Sequence, residues 1–318
     1  MPESESTLAV AQEIEKQIAE LESFSDSQAT REEIERLRQQ LAALRQKVSG
    51  APQDAWERVL LARHPHRPYT LDYIRMLFTD FMELHGDRRY ADDPAIVGGL
   101  ASFEGRPVVV VGHQKGRDTK QKLYRNFGMP NPEGYRKAIR QMRLAERFGL
   151  PIITFVDTPG AYPGIGAEER GQAEAIAYNL KEIPKLHVPI VVVVHGEGGS
   201  GGALGIAVGD EVLMLENAIY SVISPESCSS ILWRDWDHKQ DAARVLRLTA
   251  EDLFRMKLVD QVVPEPAGGA HTLPEQAAEL LRPVLRACLR ELEALPAEGL
   301  LQRRHDKIRR LACFVAES

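Results

Sequence analysis

His195-Gly196-Glu197-Gly198-Gly199-Ser200-Gly201-Gly202-Ala203-Leu204-Gly205-Ile206-Ala207-Val208-Gly209-Asp210 is the stretch that decides how this chain is read. Between Gly196 and Gly209 seven of fourteen residues are glycine, directly after the β-branched run Val188-Pro189-Ile190-Val191-Val192-Val193-Val194. A buried strand that empties into small residues and then an apolar helix leaves backbone N–H groups unpaired at the helix N-terminus, where negative charge is stabilised. The pattern therefore predicts an anion or oxyanion hole. The same letters also match G-x-G-x-x-G, a dinucleotide-binding pattern, and G-x-S-x-G around Ser200, a hydrolase nucleophile elbow. A phosphate P-loop is excluded, because no Lys-Ser or Lys-Thr follows the glycines. A purely structural reading, close helix–strand contact that tolerates only small side chains, competes with all of these.

A second loop of the same kind narrows the choice. Pro151-Ile152-Ile153-Thr154-Phe155-Val156 reads as another buried strand and runs into Asp157-Thr158-Pro159-Gly160-Ala161-Tyr162-Pro163-Gly164-Ile165-Gly166, with helix expected from near Ala167. Ligands of open α/β sheets sit outside the carboxyl ends of the strands, so both loops are expected to face one crevice. A dinucleotide-binding oxidoreductase leaves the Asp157 loop without a role, and so does a serine hydrolase using Ser200. For the latter, Asp237, His238, Asp260 and His271 follow in the order that hydrolase triads use.

Three segments, Asp157 to Gly164, Gly196 to Ala203 and Tyr220-Ser221-Val222-Ile223-Ser224-Pro225-Glu226, resemble the alpha subunit of the bacterial acetyl-CoA carboxylase carboxyltransferase. Arg67 to Tyr73, Gly112 to Arg117, Asn126 to Pro130, Val262 to Pro266 and Gly268 to His271 agree with it, so the similarity runs from about Trp56 to His271. The resemblance implies a crotonase-like (ClpP/crotonase) α/β fold and half of a split enzyme. With a zinc-containing beta subunit, such a chain transfers a carboxyl group from carboxybiotin, held covalently on the biotin carboxyl carrier protein, to acetyl-CoA, giving malonyl-CoA for fatty acid biosynthesis. ATP is then used only by a separate biotin carboxylase, and the expected assembly is alpha2-beta2. This chemistry needs developing oxyanions stabilised, which preorganised N–H groups do. Carried over residue by residue, Gly201 and Gly202 form the oxyanion hole for the biotin ureido oxygen, and Gly199 and Ser200 belong to the same pocket, with Tyr162, Pro163 and Gly164 as its wall. A bulky side chain at Gly202 is then expected to block biotin while leaving the complex assembled. Lys115 and Arg117 are candidates for meeting a carboxylate or phosphate, or else belong to a solvated basic loop.

The 318 residues, 43% hydrophobic, suffice for one large domain with an appendage, and strand–helix alternation argues α/β. No apolar run reaches the roughly 18 residues of a membrane span, and Met1 to Leu21 is acidic and polar, unlike a signal peptide. Cys228, Cys288 and Cys313 are scattered, without C-x-x-C, which predicts neither disulfides nor a metal site in a reduced, cytoplasmic protein. Net charge is −6, yet His113 to Arg147 holds ten Lys or Arg against three Asp or Glu. That surplus suits the phosphates of coenzyme A, an acidic carrier or nucleic acid, although no nucleic-acid motif accompanies it; its second half reads as an amphipathic helix with a solvated basic face.

Residues 1–50 form a separate unit in this reading. Ile14, Ile18 and Leu21 make one apolar stripe, Ile34, Leu37, Leu41, Leu44 and Val48 a coiled-coil seam, and Thr30 with Glu33 a capping box, so a helical hairpin is expected ahead of the catalytic domain at 51–272. Residues 273–318 are expected to be helical. Leu280, Leu281, Leu285, Leu289 and Leu292 form a core or interface stripe, Pro283 is a possible kink point, and Arg303 to Arg310 reads as a solvated helix face.

Overall fold

The computed structural model describes residues 54–311; the expected helical hairpin at 1–50 and Cys313 lie outside them. Strands β1 (Thr79–Glu83), β2 (Ile96–Phe103), β3 (Arg106–His113), β4 (Ile152–Thr158), β5 (Ile190–Gly199), β6 (Glu211–Leu215), β7 (Ile219–Ser221) and β8 (Gln261–Val263) form one mixed sheet. Its order is β1-β2-β3-β4-β5-β6-β8, antiparallel from β1 to β3 and parallel from β3 to β8. Every residue of β4 is buried, as are Ile190 to Gly198 of β5. Parallel strands covered on both faces read as unbroken apolar runs, which is why these two were visible as Ile152 to Val156 and Ile190 to Val194.

The described helices are α1 (Ala55–Ala62), α2 (Thr70–Leu77), α3 (Thr119–Tyr124), α4 (Pro132–Phe148), α5 (Ile165–Glu169), α6 (Gln172–Glu182), α7 (Ser200–Leu204), α8 (Pro225–Trp233), α9 (Lys239–Leu246), α10 (Ala250–Arg255), α11 (Pro274–Glu293) and α12 (Ala297–Arg310). Gly98 of β2 lies against Gln141 of α4. Gly112 of β3, whose side-chain position points the other way, lies against Thr70 of α2. Helix α4, with α6 and α7 beside it, therefore covers one face, and α2 with α11 the other. Helix α7 has only five residues, so the apolar helix expected after the glycine run is a single turn. Helix α11 continues through Pro283 and buries Leu281, Leu285, Leu289 and Leu292 in the core. None of the described helices is long and apolar enough to cross a membrane.

Two expectations about solvated basic helix faces hold only in part: Arg143, Arg147, Arg309 and Arg310 are exposed, but other cations on the same helices are taken up by partners distant in sequence. Arg304 of α12 is fully buried, with Nε and Nη2 2.8 and 2.7 Å from the two carboxylate oxygens of Asp210 and further bonds to the carbonyls of Leu186 and Val188. Its neighbours Arg303 and Lys307 pair with Glu211 and Asp260. The tail is a clamp on the start of β6. Likewise, Lys137 of α4 is buried against Asp92, 2.6 Å away, and Arg136 pairs with Asp87 at 2.8 Å.

Candidate functional site

Strands β4 and β5 deliver the two glycine loops side by side, with Thr158 in register with Gly198. The last residues of β5 also pair with β7, Gly198 opposite Tyr220 and Gly199 opposite Ser221. All three segments that carry the family resemblance thus meet at one place. Glycine is required where the backbones touch: a Cβ on Gly199 would lie 2.2 Å from the Pro159 carbonyl oxygen, and one on Gly202 would lie 2.3 Å from the carbonyl carbon of Gly160 and 2.4 Å from the Ala161 nitrogen. Gly201 is different, since its Cβ would meet only Ile176, at 3.9 Å.

Beneath the loops runs a line of buried charge. Lys115, at the end of β3, places its ammonium 2.7 Å from Asp157 and 3.4 Å from Glu197. The Glu197 N–H donates to Asp157 (2.9 Å), locking the two loops together. Arg63 bridges Glu197 and Glu226, each at 2.6 Å, and so ties α8 to the end of β5. Arg67 donates to the His195 carbonyl (2.7 Å) and forms a buried two-pronged pair with Glu265 at 2.9 and 2.5 Å. Burial raises the Asp157 carboxyl, but Lys115 and the Glu197 N–H outweigh it and hold it below the ordinary carboxylate range. Burial pushes His195 down to about 4 and His113 to about 3, so both imidazoles are neutral near pH 7.

The turn from β5 into α7 is made by Ser200, a non-glycine residue at φ +49°. Such a conformation costs about 1–3 kcal/mol and persists where its surroundings impose it, commonly at functional sites. The first N–H groups of α7, those of Ser200, Gly201 and Gly202, have no partner within the helix. Ser200 and Gly201 stand in the wall of a groove of about 690 Å³ that is otherwise largely apolar, with Leu204, Tyr220, Val222, Leu253 and Leu258 among its lining residues. Oxyanion-type donors facing such a groove act in a low dielectric, where they are worth more than in water.

Of the residues singled out from sequence, the structure brings Ser200 and Gly201 to the groove. Gly199 and Gly202 are not among the groove's lining residues, and a side chain on either would run into the Pro159–Ala161 loop. Tyr162, Pro163 and Gly164 are not among the groove's lining residues; Tyr162 packs its ring on Gly164, and its N–H donates to the Pro130 carbonyl at 3.0 Å. The anions met by Lys115 and Arg117 are the chain's own: Lys115 meets Asp157 and Glu197, while Arg117 pairs with Asp72 and stacks on Tyr69. The roles of Asp157, Glu197, Arg63 and Arg67 went unassigned in the sequence reading. The signal for Asp157 was its place, an acid closing an apolar strand.

The hydrolase reading finds no triad. His238 sits by Asp241 and stacks on Trp233, His271 stacks on His64, Asp260 accepts from the Val212 N–H and pairs with Lys307, and Asp237 is exposed. The dinucleotide reading fails on local geometry, because Gly196 and Gly198 belong to β5 itself and the following helix is one turn long. Among the described residues no group of three or more His, Cys, Asp or Glu is placed to hold a metal, and Cys228 and Cys288 are buried free thiols.

A mixed sheet with two glycine loops at the carboxyl ends of adjacent parallel strands gives the molecule a crotonase-type α/β fold. Solved structures with this architecture include transcarboxylase 12S (TM-score 0.56, 21% identity, 70% of this chain and 41% of that one) and a Pseudomonas malonate decarboxylase hetero-dimer (TM-score 0.59, 14% identity, 75% and 95%). The family model "Acetyl co-enzyme A carboxylase carboxyltransferase-like" matches residues 6–312. Acetyl-coenzyme A carboxylase carboxyl transferase subunits alpha of Geobacter sulfurreducens (64% identity, 82% of each chain) and Geobacter metallireducens (57%, 95% of each) are similar over most of their length. The chain belongs to the family of acetyl-coenzyme A carboxylase carboxyl transferase alpha subunits.

Proposed function

We propose that this chain supplies the biotin side of a two-subunit carboxyltransferase that moves a carboxyl group from carboxybiotin to acetyl-CoA, giving malonyl-CoA. The observation that carries the reading is the strained Ser200 turn, which brings the start of α7 into the wall of an apolar groove, next to the point where Gly199 and Gly202 touch the Pro159–Ala161 loop. A bicyclic ureido group suits such a site: apolar walls accept its rings, and the N–H groups at the start of α7, those of Gly201 and Gly202 with Ser200 beside them, offer its oxygen hydrogen bonds. Biotin supplies the carboxyl group and a basic nitrogen for the methyl proton, so no side-chain base is demanded of this chain. The chain's own work is to hold donors where negative charge develops; losing one such donor typically costs roughly 3–4 kcal/mol of barrier. Lys115 fixes Asp157 and Glu197 and thereby keeps the two loops at their separation.

Exposed apolar side chains, Val222 in the groove wall together with Ile231 and Leu232 on α8 and Val245 on α9, favour a permanent partner for this part of the chain. We assign that place to the beta subunit, with the carrier protein delivering biotin between the two and a separate biotin carboxylase reloading it. The test is reconstitution. The purified chain is expected to give no malonyl-CoA from carboxybiotin and acetyl-CoA alone and to gain activity with a beta subunit; robust turnover by the isolated chain rejects the reading.

A further inference from the structure

Helix α6 separates two cavities of opposite character. Its Ile176 faces Gly201, whereas Glu174 and Tyr178 line a second cavity of about 300 Å³ whose other walls carry Arg88, Arg89, Arg136, Arg140 and Arg143. The spacing of the last three puts them on one face of α4. The turn at His85 to Asp87 then fixes the guanidinium groups. Arg140 donates from Nε to the Gly86 carbonyl (3.0 Å) and from Nη2 to that of His85 (3.2 Å), Arg88 donates to the same His85 carbonyl (3.0 Å), and Arg136 donates to Asp87 (2.8 Å).

The local acids do not neutralise this group. Asp87 is saturated, since its second oxygen accepts the N–H groups of Arg89 and Tyr90 at 2.9 and 2.7 Å. Arg143 is matched by Glu182 at 3.2 Å. Among the described residues Arg88, Arg89 and Arg140 have no carboxylate within 4.0 Å, so Glu174 is the one lining acid left against three cations. Burial and the neighbouring Arg88 charge push the Arg140 guanidinium below its ordinary value, outweighing the opposite pull of Asp87 and Asp92. Like charges gathered by backbone anchors, with guanidinium N–H groups to spare, form a preorganised receptor for an oxyanion, and the planar fork of arginine matches phosphate oxygens in pairs.

We propose that this cavity binds a small phosphate-bearing ligand presenting at least two adjacent negative charges, at a site distinct from the α7 groove. The inference is independent of what the groove does. Pyrophosphate is the probe, titrated calorimetrically into the full chain at low ionic strength. Saturable one-to-one binding is expected, weakened at least tenfold in the double variant Arg88→Gln/Arg140→Gln and, by screening, on going from about 0.05 to about 0.2 M salt. Arg89→Gln, which breaks no internal contact of the described residues, is expected to weaken it about threefold and serves if the double variant does not fold. Coenzyme A that displaces pyrophosphate traces the phosphates to a nucleotide ligand, and failure to displace it traces them to a free phosphate; either result upholds the site. No saturable pyrophosphate binding, equal binding by wild type and the folded variants, or binding of duplex DNA alone overturns it.

Discussion

Adjacent glycines in α7 should respond oppositely to one added methyl group. A Cβ at Gly202 would sit 2.3 and 2.4 Å from backbone atoms of Gly160 and Ala161, neither of which can swing away as a side chain can. The loops must therefore separate by about 1 Å to reach ordinary contact, and overpacking of this kind costs about 1–3 kcal/mol. At Gly201 the nearest neighbour of the new methyl is Ile176 at 3.9 Å, an ordinary contact, and alanine is favoured over glycine in a helix by about 0.5–1 kcal/mol. Gly202→Ala is thus expected to lower the melting temperature by several degrees, at roughly 2–4 °C per kcal/mol, with activity lost in proportion to folded complex. Gly201→Ala should melt at or above wild type. Gly201→Val, which places two further methyls in the groove, should stay folded and assembled while carboxyl transfer falls about a hundredfold, the scale of one lost oxyanion interaction. The assay is turnover and melting on the same beta-complexed preparation. A fully active, folded Gly201→Val would show that Gly201 does not face the reacting group, and an unperturbed melting curve for Gly202→Ala would refute the packing argument. The clash therefore predicts, against the expectation from sequence, that a large residue at Gly202 also disturbs folding or assembly.

Ser200→Ala is expected to keep most of the carboxyl transfer, and a fluorophosphonate should leave Ser200 unlabelled; stoichiometric labelling would restore the hydrolase reading. His113 and His195 titrate in the folded chain at about 3 and about 4, below the ordinary imidazole value, so the unfolded chain binds their protons first on acidification. Their contribution to stability is therefore complete above about pH 6.5 and is lost progressively as the pH falls through about 4 for His195 and about 3 for His113; urea unfolding at pH 7.5 and pH 5 should show part of the loss, and an acid-insensitive midpoint would contradict it. Arg304→Ala leaves Asp210 buried without its partner and should cost about 3–5 kcal/mol, whereas Arg309→Ala, on an exposed residue, should cost under about 0.5 kcal/mol. Equal denaturation midpoints for the two variants would refute the clamp.

What could be read in advance depended on whether the signal was local. The apolar runs of β4 and β5 are local, and so is the switch from β-branched residues to glycine at their carboxyl ends; together they place the crevice. Which glycine packs and which faces the groove is not local, since Gly201 and Gly202 are chemically identical and differ only in whether the Pro159–Ala161 loop lies against them. The same reason hid the charges. Lys115, Lys137 and Arg304 stand in basic stretches that resemble solvated faces, and each acquires its meaning from Asp157, Asp92 or Asp210 on another strand or loop. A solvated cation is replaceable; a buried one is committed, because removing either member leaves an uncompensated charge in a low dielectric. The ion pairs beneath the glycine loops therefore act by penalising displacement. If β4 slides against β5, Lys115 loses Asp157 or Glu197 with no water to replace it, so the cost of disorder falls on the two strands whose ends must hold the α7 N–H groups still.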